Sequence, residues 1–414
     1  MIAEILVTGQ EILSGAVIDS NSDRIAQALE KIGLEVIRHS CVGDDMETLV
    51  SIIKEIGERA DVAVVTGGLG PTTDDITAEA AAKAAGVELI LNRSALSDIE
   101  NLFKAKKRPM SRSNKKQAML PRGSEYLHNP VGTAPGFHLK IGRCLFFFIP
   151  GVPFEMRRML SDVVLPQIDK LQGRSGEVNL VKTITTFGLT EAIIGERLAG
   201  LTSEIPGIKL GIRAKFPEIQ VKLYGRSKDD QSLHQVMERA SEWVLKKLGK
   251  NAFSDDGSSM EAVVGALLSG KKATLAVAES CTGGLISHWL TNVPGSSNYF
   301  LFSGVTYSNE AKAKVLGVSS ETLKRYGAVH EETAKEMAEG VRRVAGSTYG
   351  LATSGIAGPD GGTDDKPVGT VCIGLAGPHF AKGFRFFFPF DRRLRNKKIF
   401  AMKALDLLRQ ELQG

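Results

Sequence analysis

Three side chains in the last third of the chain have the types and spacing for nucleophilic catalysis: Ser280, Tyr307 and Lys312. A serine hydroxyl is a poor nucleophile near neutral pH and needs a base within hydrogen-bond reach. None of the seven histidines falls in the motifs around Ser280, so a Ser-His-Asp triad is poorly supported and a Ser-Lys pair is the better candidate. Lys312 follows Ser308-Asn309, a helix start. In a cleft at the first turn of a helix, burial and the helix dipole both favour the uncharged amine that a general base requires. Plainer alternatives stand beside this reading. Lys312 could be a solvated helix lysine, and Ser280 or Thr282 could be a helix N-cap.

The elements that must position these groups are legible as strand ends. Ala273–Glu279 is a mostly apolar run with β-branched members that leads into Ser280-Cys-Thr-Gly-Gly284, the pattern of a buried strand meeting a helix start. Gly283 and Gly284 let the backbone approach an anion, and the helix that follows turns its free N–H groups toward it. Downstream lie Pro294–Ser297, Thr306–Lys312, Ser354–Gly362 and Phe388–Arg392, each a strand end or loop, where α/β folds place their chemistry.

A second set of candidates lies near the N-terminus. Residues 2–8, 34–41 and 61–66 read as strands separated by helices with apolar stripes at Ile25, Leu29, Ile32 and at Leu49, Ile52, Ile53, Ile56, a βαβαβ order that predicts a parallel sheet. The third strand ends in Gly67-Gly68-Leu-Gly70, a backbone nest for an anion, followed by Asp74 and Asp75. Adjacent carboxylates beside a phosphate repel it unless a divalent cation bridges them, so Mg²⁺ or a similar hard cation is implied, with Asp44 and Glu11 at other strand ends. The alternative is that Asp74 and Asp75 cap the next helix.

At 414 residues with a net charge of +5, the chain is long enough for two or three domains, with acids and bases mixed throughout. The one dense basic cluster, Lys104–Arg108 with Arg112, Lys115 and Lys116, lacks interleaved aromatics and reads as a solvated face rather than a nucleic-acid groove. It would serve phosphate-bearing small ligands equally well. Four scattered cysteines without a CxxC pair indicate neither a zinc ribbon nor a disulfide framework. Glu4 and Glu11 break the N-terminal apolar stretch and Leu145–Ile149 is too short to cross a bilayer, so a cytoplasmic protein without a membrane partner is expected. A helix over 153–171 ends the first domain (1–172), with Gln172–Gly176 as a linker. A β-α-β-β-α module follows (177–252), and the last domain runs over 255–414.

These motifs resemble the CinA family. Gly9-x-Glu-Ile-Leu-x-Gly15 with Asn21, Thr66–Thr77, Asn114-x-Lys-Gln-Ala118, Asn129–Gly136 and Pro150–Met156 look like its N-terminal domain, which is similar to molybdopterin-binding proteins. The resemblance implies two three-layer α/β/α domains joined by a small α+β module. In the first domain it implies a metal-dependent ADP-ribose pyrophosphatase using Mg, Mn or Co at Glu11, Asp44, Asp74 and Asp75. Asn21, Gly67, Gly68 and Gly70 would sit at the nucleotide. Gln10 departs from the acidic residue usual there, and Thr190-Glu191-Ala192 departs from the middle module's usual Glu-Ser pair.

The motifs of residues 258–414 resemble bacterial nicotinamide mononucleotide deamidases. That likeness makes Ser280 the nucleophile and Lys312 the base, with no metal or cofactor in this domain. Tyr307, Ser297, Thr282, Gly283, Gly284, Ser354, Gly355 and Arg392 become supporting or substrate-binding groups, and Phe390 stands where a glycine often precedes the Asp-Arg pair. Small nucleotides are the expected ligands, nucleic acid is not expected, and a homodimer is plausible. The alternative is a non-enzymatic competence or damage-inducible partner protein with a pterin- or nucleotide-binding first domain.

Overall fold

The computed structural model describes residues 1–171 and 178–414, so the expected linker at 172–176 lies outside the described residues. It separates into two compact units, residues 1–180 with 226–233, and residues 181–225 with 234–414. Each is a mixed α/β body whose helices flank its sheets.

In the first unit the strands β1 (Ile2–Thr8), β2 (Glu35–Val42) and β3 (Val62–Thr66) form where the sequence predicts them; β1 and β3 are central and almost wholly buried, whereas β2 is the edge strand and has no buried residue. A minor antiparallel pair, β4 (Leu89–Leu91) with β5 (Met119–Pro121), stands apart. The main sheet continues past the expected βαβαβ core through β6 (Glu125–Leu127), β7 (Gly136–Ile141) and β8 (Cys144–Ile149), in the order β2-β1-β3-β8-β7-β6. β1, β2, β3 and β8 are mutually parallel, β7 runs antiparallel to β8, and β6, antiparallel to β7, points the same way as β8. The expected helix over 153–171 contains a π turn at Leu160–Val164, just before Pro166, whose missing N–H and ring disfavour a regular i→i−4 ladder there.

In the second unit β9 (Val178–Thr186), β10 (Ile208–Lys215), β11 (Glu218–Ser227) and β12 (Ala252–Ser254) form a four-stranded sheet ordered β10-β11-β9-β12. β12 was not foreseen, because three residues are too few to show periodicity. The last domain's sheet is ordered β14-β13-β15-β16-β17, from β13 (Leu275–Glu279), β14 (Phe300–Val305), β15 (Tyr349–Gly355), β16 (Thr370–Ala376) and β17 (Ala381–Phe387). β13, β14 and β15 are parallel, β16 runs antiparallel to β15, and β17, antiparallel to β16, points the same way as β15. The helices Glu331–Ala345 and Arg393–Gln413 bury apolar faces in separate core clusters. The first lies so close to the sheet that a Cβ on Gly374 would sit 1.8 Å from the Ala334 carbonyl oxygen. No helix among the described residues is long and apolar enough to cross a membrane.

Candidate active site

Ser280 follows the last residue of β13 and Lys312 lies in the first turn of the Asn309–Leu316 helix, which is capped by the Ser308 hydroxyl accepting from the Ala311 N–H. The two side chains meet, with Lys312 Nζ 3.1 Å from Ser280 Oγ. Lys312 is fully buried and Ser280 is 8% exposed. Nζ also donates to the carbonyls of Thr306 and Tyr307, each at 2.9 Å. Among the described residues no carboxylate pairs with it. Burial holds its pKa below the usual lysine value. As an uncharged amine Lys312 has two N–H bonds, which the two carbonyls occupy. The lone pair is then left to accept from the Ser280 hydroxyl, the orientation a general base needs. Burial pushes the neighbouring Cys281 thiol up to about 12, so it stays protonated and does not compete as a nucleophile.

The N-cap alternative for Ser280 and Thr282 is not what forms. The Leu285–Thr291 helix starts after Gly284, and its first amides are held by the buried Glu279 carboxylate, which accepts from Ile286 N–H (3.2 Å) and Ser287 N–H (2.9 Å). The Thr282 side chain is spent on Thr353, with 2.7 Å between the hydroxyls, so its backbone N–H is the group it can offer a ligand. Gly283 and Gly284 adopt φ of +58° and +89°, which glycine reaches without the Cβ clash of other residues. Neither the Thr282 nor the Gly284 N–H has an acceptor among the described residues.

Several supporting residues sit differently from expectation. Ser297 precedes β14, and β14 runs parallel to β13 with Phe300 beside Leu275 and Val305 beside Glu279. Ser297 therefore lies at the amino ends of these strands, opposite Ser280, and within one chain it cannot relay the serine's proton. Ser354 is buried, with its hydroxyl donating to the Ala328 carbonyl (2.6 Å). Gly355 packs rather than binds, since a Cβ there would meet Thr370 O at 2.6 Å and Cys281 Sγ at 3.2 Å. Tyr307 is 60% exposed and its hydroxyl accepts from Arg393 (3.1 Å), while Arg393 also donates to the Gly358 carbonyl (2.8 Å). Arg393, not Arg392, is thus the arginine joined to Tyr307, whose carbonyl accepts from Lys312. Arg392 is the N-cap residue of the last helix, exposed and without a side-chain partner among the described residues. One turn on, Lys397 brings its ammonium against the glycine turn, 3.3 Å from where a Gly283 Cβ would sit, and has no partner among the described residues. Phe390 packs edge-on against Phe216 at the β10–β11 turn (5.2 Å), giving that bulky residue a contact that a glycine would lack.

In the first unit a cavity of about 460 Å³ is lined by all the candidates named there: Glu11, Asp44, Asp74 and Asp75, and Asn21, Gly67, Gly68 and Gly70. Asp74 and Asp75 do not cap the next helix, which begins at Thr77 after Ile76. Asp75 accepts from the Thr72 N–H (2.8 Å), and its carboxylate would be 2.4 Å from a Cβ on Gly70. Burial, then the charges of Glu11, Asp74 and Asp75, raise the Asp44 pKa, against the bond it accepts from the Gln10 N–H (3.0 Å). Among the described residues no three acidic, His or Cys side chains converge as a protein-only metal cage. The donor set instead fits a hard cation such as Mg²⁺, which keeps waters and binds through one or two carboxylates plus ligand phosphates. Asn21 is 8% exposed; its Nδ2 donates to Gly151 O (2.7 Å) and Thr66 Oγ1 (3.2 Å), and its Oδ1 is buried without a donor.

The chain is therefore an α/β protein with a buried Ser-Lys pair at the carboxyl edge of one sheet and a glycine-lined acidic crevice at the edge of another. Comparison with known proteins matches three stretches of the chain: residues 4–170 match a family described as "Probable molybdopterin binding domain", 181–254 "Damage-inducible protein CinA KH domain", and 257–412 "CinA C-terminal domain". It is 54% identical to a CinA-like protein of Desulfosudis oleivorans, covering 100% of both chains, and 43% identical to one of Geobacter metallireducens, covering 99% and 98%. A crystal structure of CinA from Thermoplasma acidophilum is 32% identical, covers 41% of this chain and 97% of that one, and has a TM-score of 0.38. The chain belongs to the CinA family. KH modules clamp nucleic acid with a Gly-x-x-Gly loop, yet no Gly-x-x-Gly occurs between residues 178 and 254.

Proposed function

We propose that the C-terminal domain is an amidohydrolase converting nicotinamide mononucleotide to nicotinate mononucleotide and ammonia. The observation that carries this reading is the buried Lys312 amine, 3.1 Å from the Ser280 hydroxyl with its other valences held by two carbonyls. A non-enzymatic partner protein has no use for a buried lysine amine, its pKa lowered by burial, sealed against a serine. The choice of substrate rests on the resemblance of the motifs around Ser280, Tyr307 and Lys312 to the deamidases.

In the proposed reaction Lys312 takes the Ser280 proton as Oγ bonds to the carboxamide carbon. The oxyanion faces the Thr282 and Gly284 N–H groups. Collapse of the tetrahedral intermediate breaks the C–N bond, and Lys312 returns its proton to the departing nitrogen, releasing ammonia. Water, deprotonated by Lys312, then cleaves the acyl-serine and frees nicotinate mononucleotide. Lys397 and Arg393, on one face of the last helix, are the cations available to the 5′-phosphate.

For the first domain we propose a metal-dependent ADP-ribose pyrophosphatase. One or two of the carboxylates Glu11, Asp44, Asp74 and Asp75, together with waters and the ligand's phosphates, would hold the divalent cation, which when bound would neutralise phosphate charge. The Gly67–Gly70 backbone approaches the phosphates, and Asn21 Oδ1 accepts from a ligand hydroxyl. The deciding experiment follows ammonia from nicotinamide mononucleotide and AMP from ADP-ribose plus Mg²⁺ or Mn²⁺ in one preparation. Ser280→Ala is expected to silence only the first reaction. A wild-type protein that releases no ammonia would overturn the amidohydrolase reading.

A further inference from the structure

The basic cluster takes no part in either hydrolytic site, yet it forms a cavity. The Arg93–Ala105 helix ends in a turn in which Lys106, Lys107 and Arg108 N–H groups donate to the carbonyls of Leu102, Lys104 and Phe103, each at 3.0 Å. Lys107 sits there with φ of +51°, in the left-handed region where glycine is usual, so this turn keeps a cation where conformational ease favours none. The turn brings Arg108 back against the helix, and Ser111 caps the short 3₁₀ segment Arg112–Ala118 on the other side. Between them lies a cavity of about 350 Å³.

Its rim carries Lys104, Arg108, Arg112 and Lys115 against one carboxylate, Glu100. None of the four cations has a hydrogen bond, ion pair or ring contact among the described residues. Phe103 and Met110 line the same cavity and are half-buried, packed at their inner faces on the first domain's core. Four unneutralised cations around a half-buried aromatic ring complement a ligand that carries several negative charges and one flat apolar face.

We propose that this cavity is a binding site for a nucleotide bearing a pyrophosphate, with phosphate oxygens on Arg108, Arg112, Lys104 and Lys115 and the base on Phe103. The site is distinct from the acidic crevice but joined to its wall. In the same 3₁₀ segment Lys116 donates to the Thr72 carbonyl (2.6 Å) and Gln117 to the Leu69 carbonyl (3.4 Å), both in the glycine-rich loop. A ligand on Arg112 and Lys115 therefore grips the outer side of a segment whose other side holds that loop. The proposal does not depend on either hydrolase reading.

The test titrates the full chain calorimetrically with ADP, adenosine and inorganic pyrophosphate, and repeats it on Arg108→Ala/Lys115→Ala and Phe103→Leu variants. These two cations are exposed and unpartnered, so the double variant should keep the wild-type circular dichroism and melting curve. ADP is expected to bind more tightly than pyrophosphate, and adenosine at least 100-fold more weakly than ADP. The double variant should lose tenfold or more in ADP affinity, and Phe103→Leu should remove the advantage of ADP over pyrophosphate. Photolabelling with 8-azido-ADP should mark a peptide within residues 99–116. A smaller loss in the double variant, labelling elsewhere, or tighter binding of single-stranded oligonucleotide than of ADP would overturn the proposal.

Discussion

Replacing Lys312 by Met keeps the length and much of the volume of the side chain while deleting the amine. The substitution removes the only base within reach of Ser280 Oγ among the described residues. General bases contribute about 10²- to 10⁴-fold, so kcat for ammonia release from nicotinamide mononucleotide should fall by about 10³-fold, or about 4 kcal/mol of barrier. KM should change little, because the amine faces the nucleophile. The Thr306 and Tyr307 carbonyls lose their donor, at about 1–3 kcal/mol for a buried group left unpaired. Against this, the variant no longer has to bury an amine.

The sign of the pH effect follows from the lowered Lys312 pKa. Between that folded value and the unfolded lysine value the unfolded chain binds more protons, so wild-type stability rises with pH across that window. The cost of burial is fully present below the folded pKa and is gone above the unfolded one. Lys312→Met should lose this rise, read as a flatter dependence of melting temperature on pH. In wild type kcat/KM should climb as Lys312 deprotonates, below the usual lysine range. Coupled-enzyme ammonia assays from pH 6 to 10 with parallel calorimetric melts give both. A Lys312→Met variant retaining more than a tenth of wild-type kcat, or losing only KM, would refute the assignment of the base.

Lys397→Ala should raise KM for nicotinamide mononucleotide about tenfold and leave KM for nicotinamide riboside unchanged, with partial rescue by Lys397→Arg. Equal effects on both substrates would remove Lys397 from the phosphate. Asp75→Ala should abolish ADP-ribose hydrolysis while ammonia release persists, which AMP and ammonia assays on the same sample check. Gly374→Ala should lower stability by about 1–3 kcal/mol, the usual cost of overpacking, because its Cβ would sit 1.8 Å from the Ala334 carbonyl oxygen in the helix covering the sheet. An unchanged melting temperature would show that the helix can withdraw.

The strand-turn-helix around Ser280 was legible because buried parallel strands write continuous apolar runs and glycine pairs mark the turn. Lys312 was legible because Ser308-Asn309 announces the helix that carries it. The glycine-rich crevice declared itself by the same signals. Which of the adjacent arginines 392 and 393 reaches Tyr307 was not legible, because it depends on where the last helix begins; Arg392 is its N-cap and Arg393 makes the contact. Ser297 was drawn into the site by its nearness in sequence, whereas the parallel register of β13 and β14 places it at the far edge. The capping carboxylate of Glu279 had no signal at all, since a glutamate in an apolar strand reads as an outlier until the helix amides it holds are seen. Lys397 had one available clue: it lies four residues beyond Arg393, on the same helix face.

The most direct test of the Ser280–Lys312 mechanism is acid-quenched mass spectrometry of the protein within its first turnovers on nicotinamide mononucleotide. The account predicts an acyl adduct of the nicotinate mononucleotide group on the peptide containing Ser280, absent in Ser280→Ala and in Lys312→Met. Ammonia release with no adduct on Ser280 in wild type, or an adduct that persists in Ser280→Ala, would contradict it.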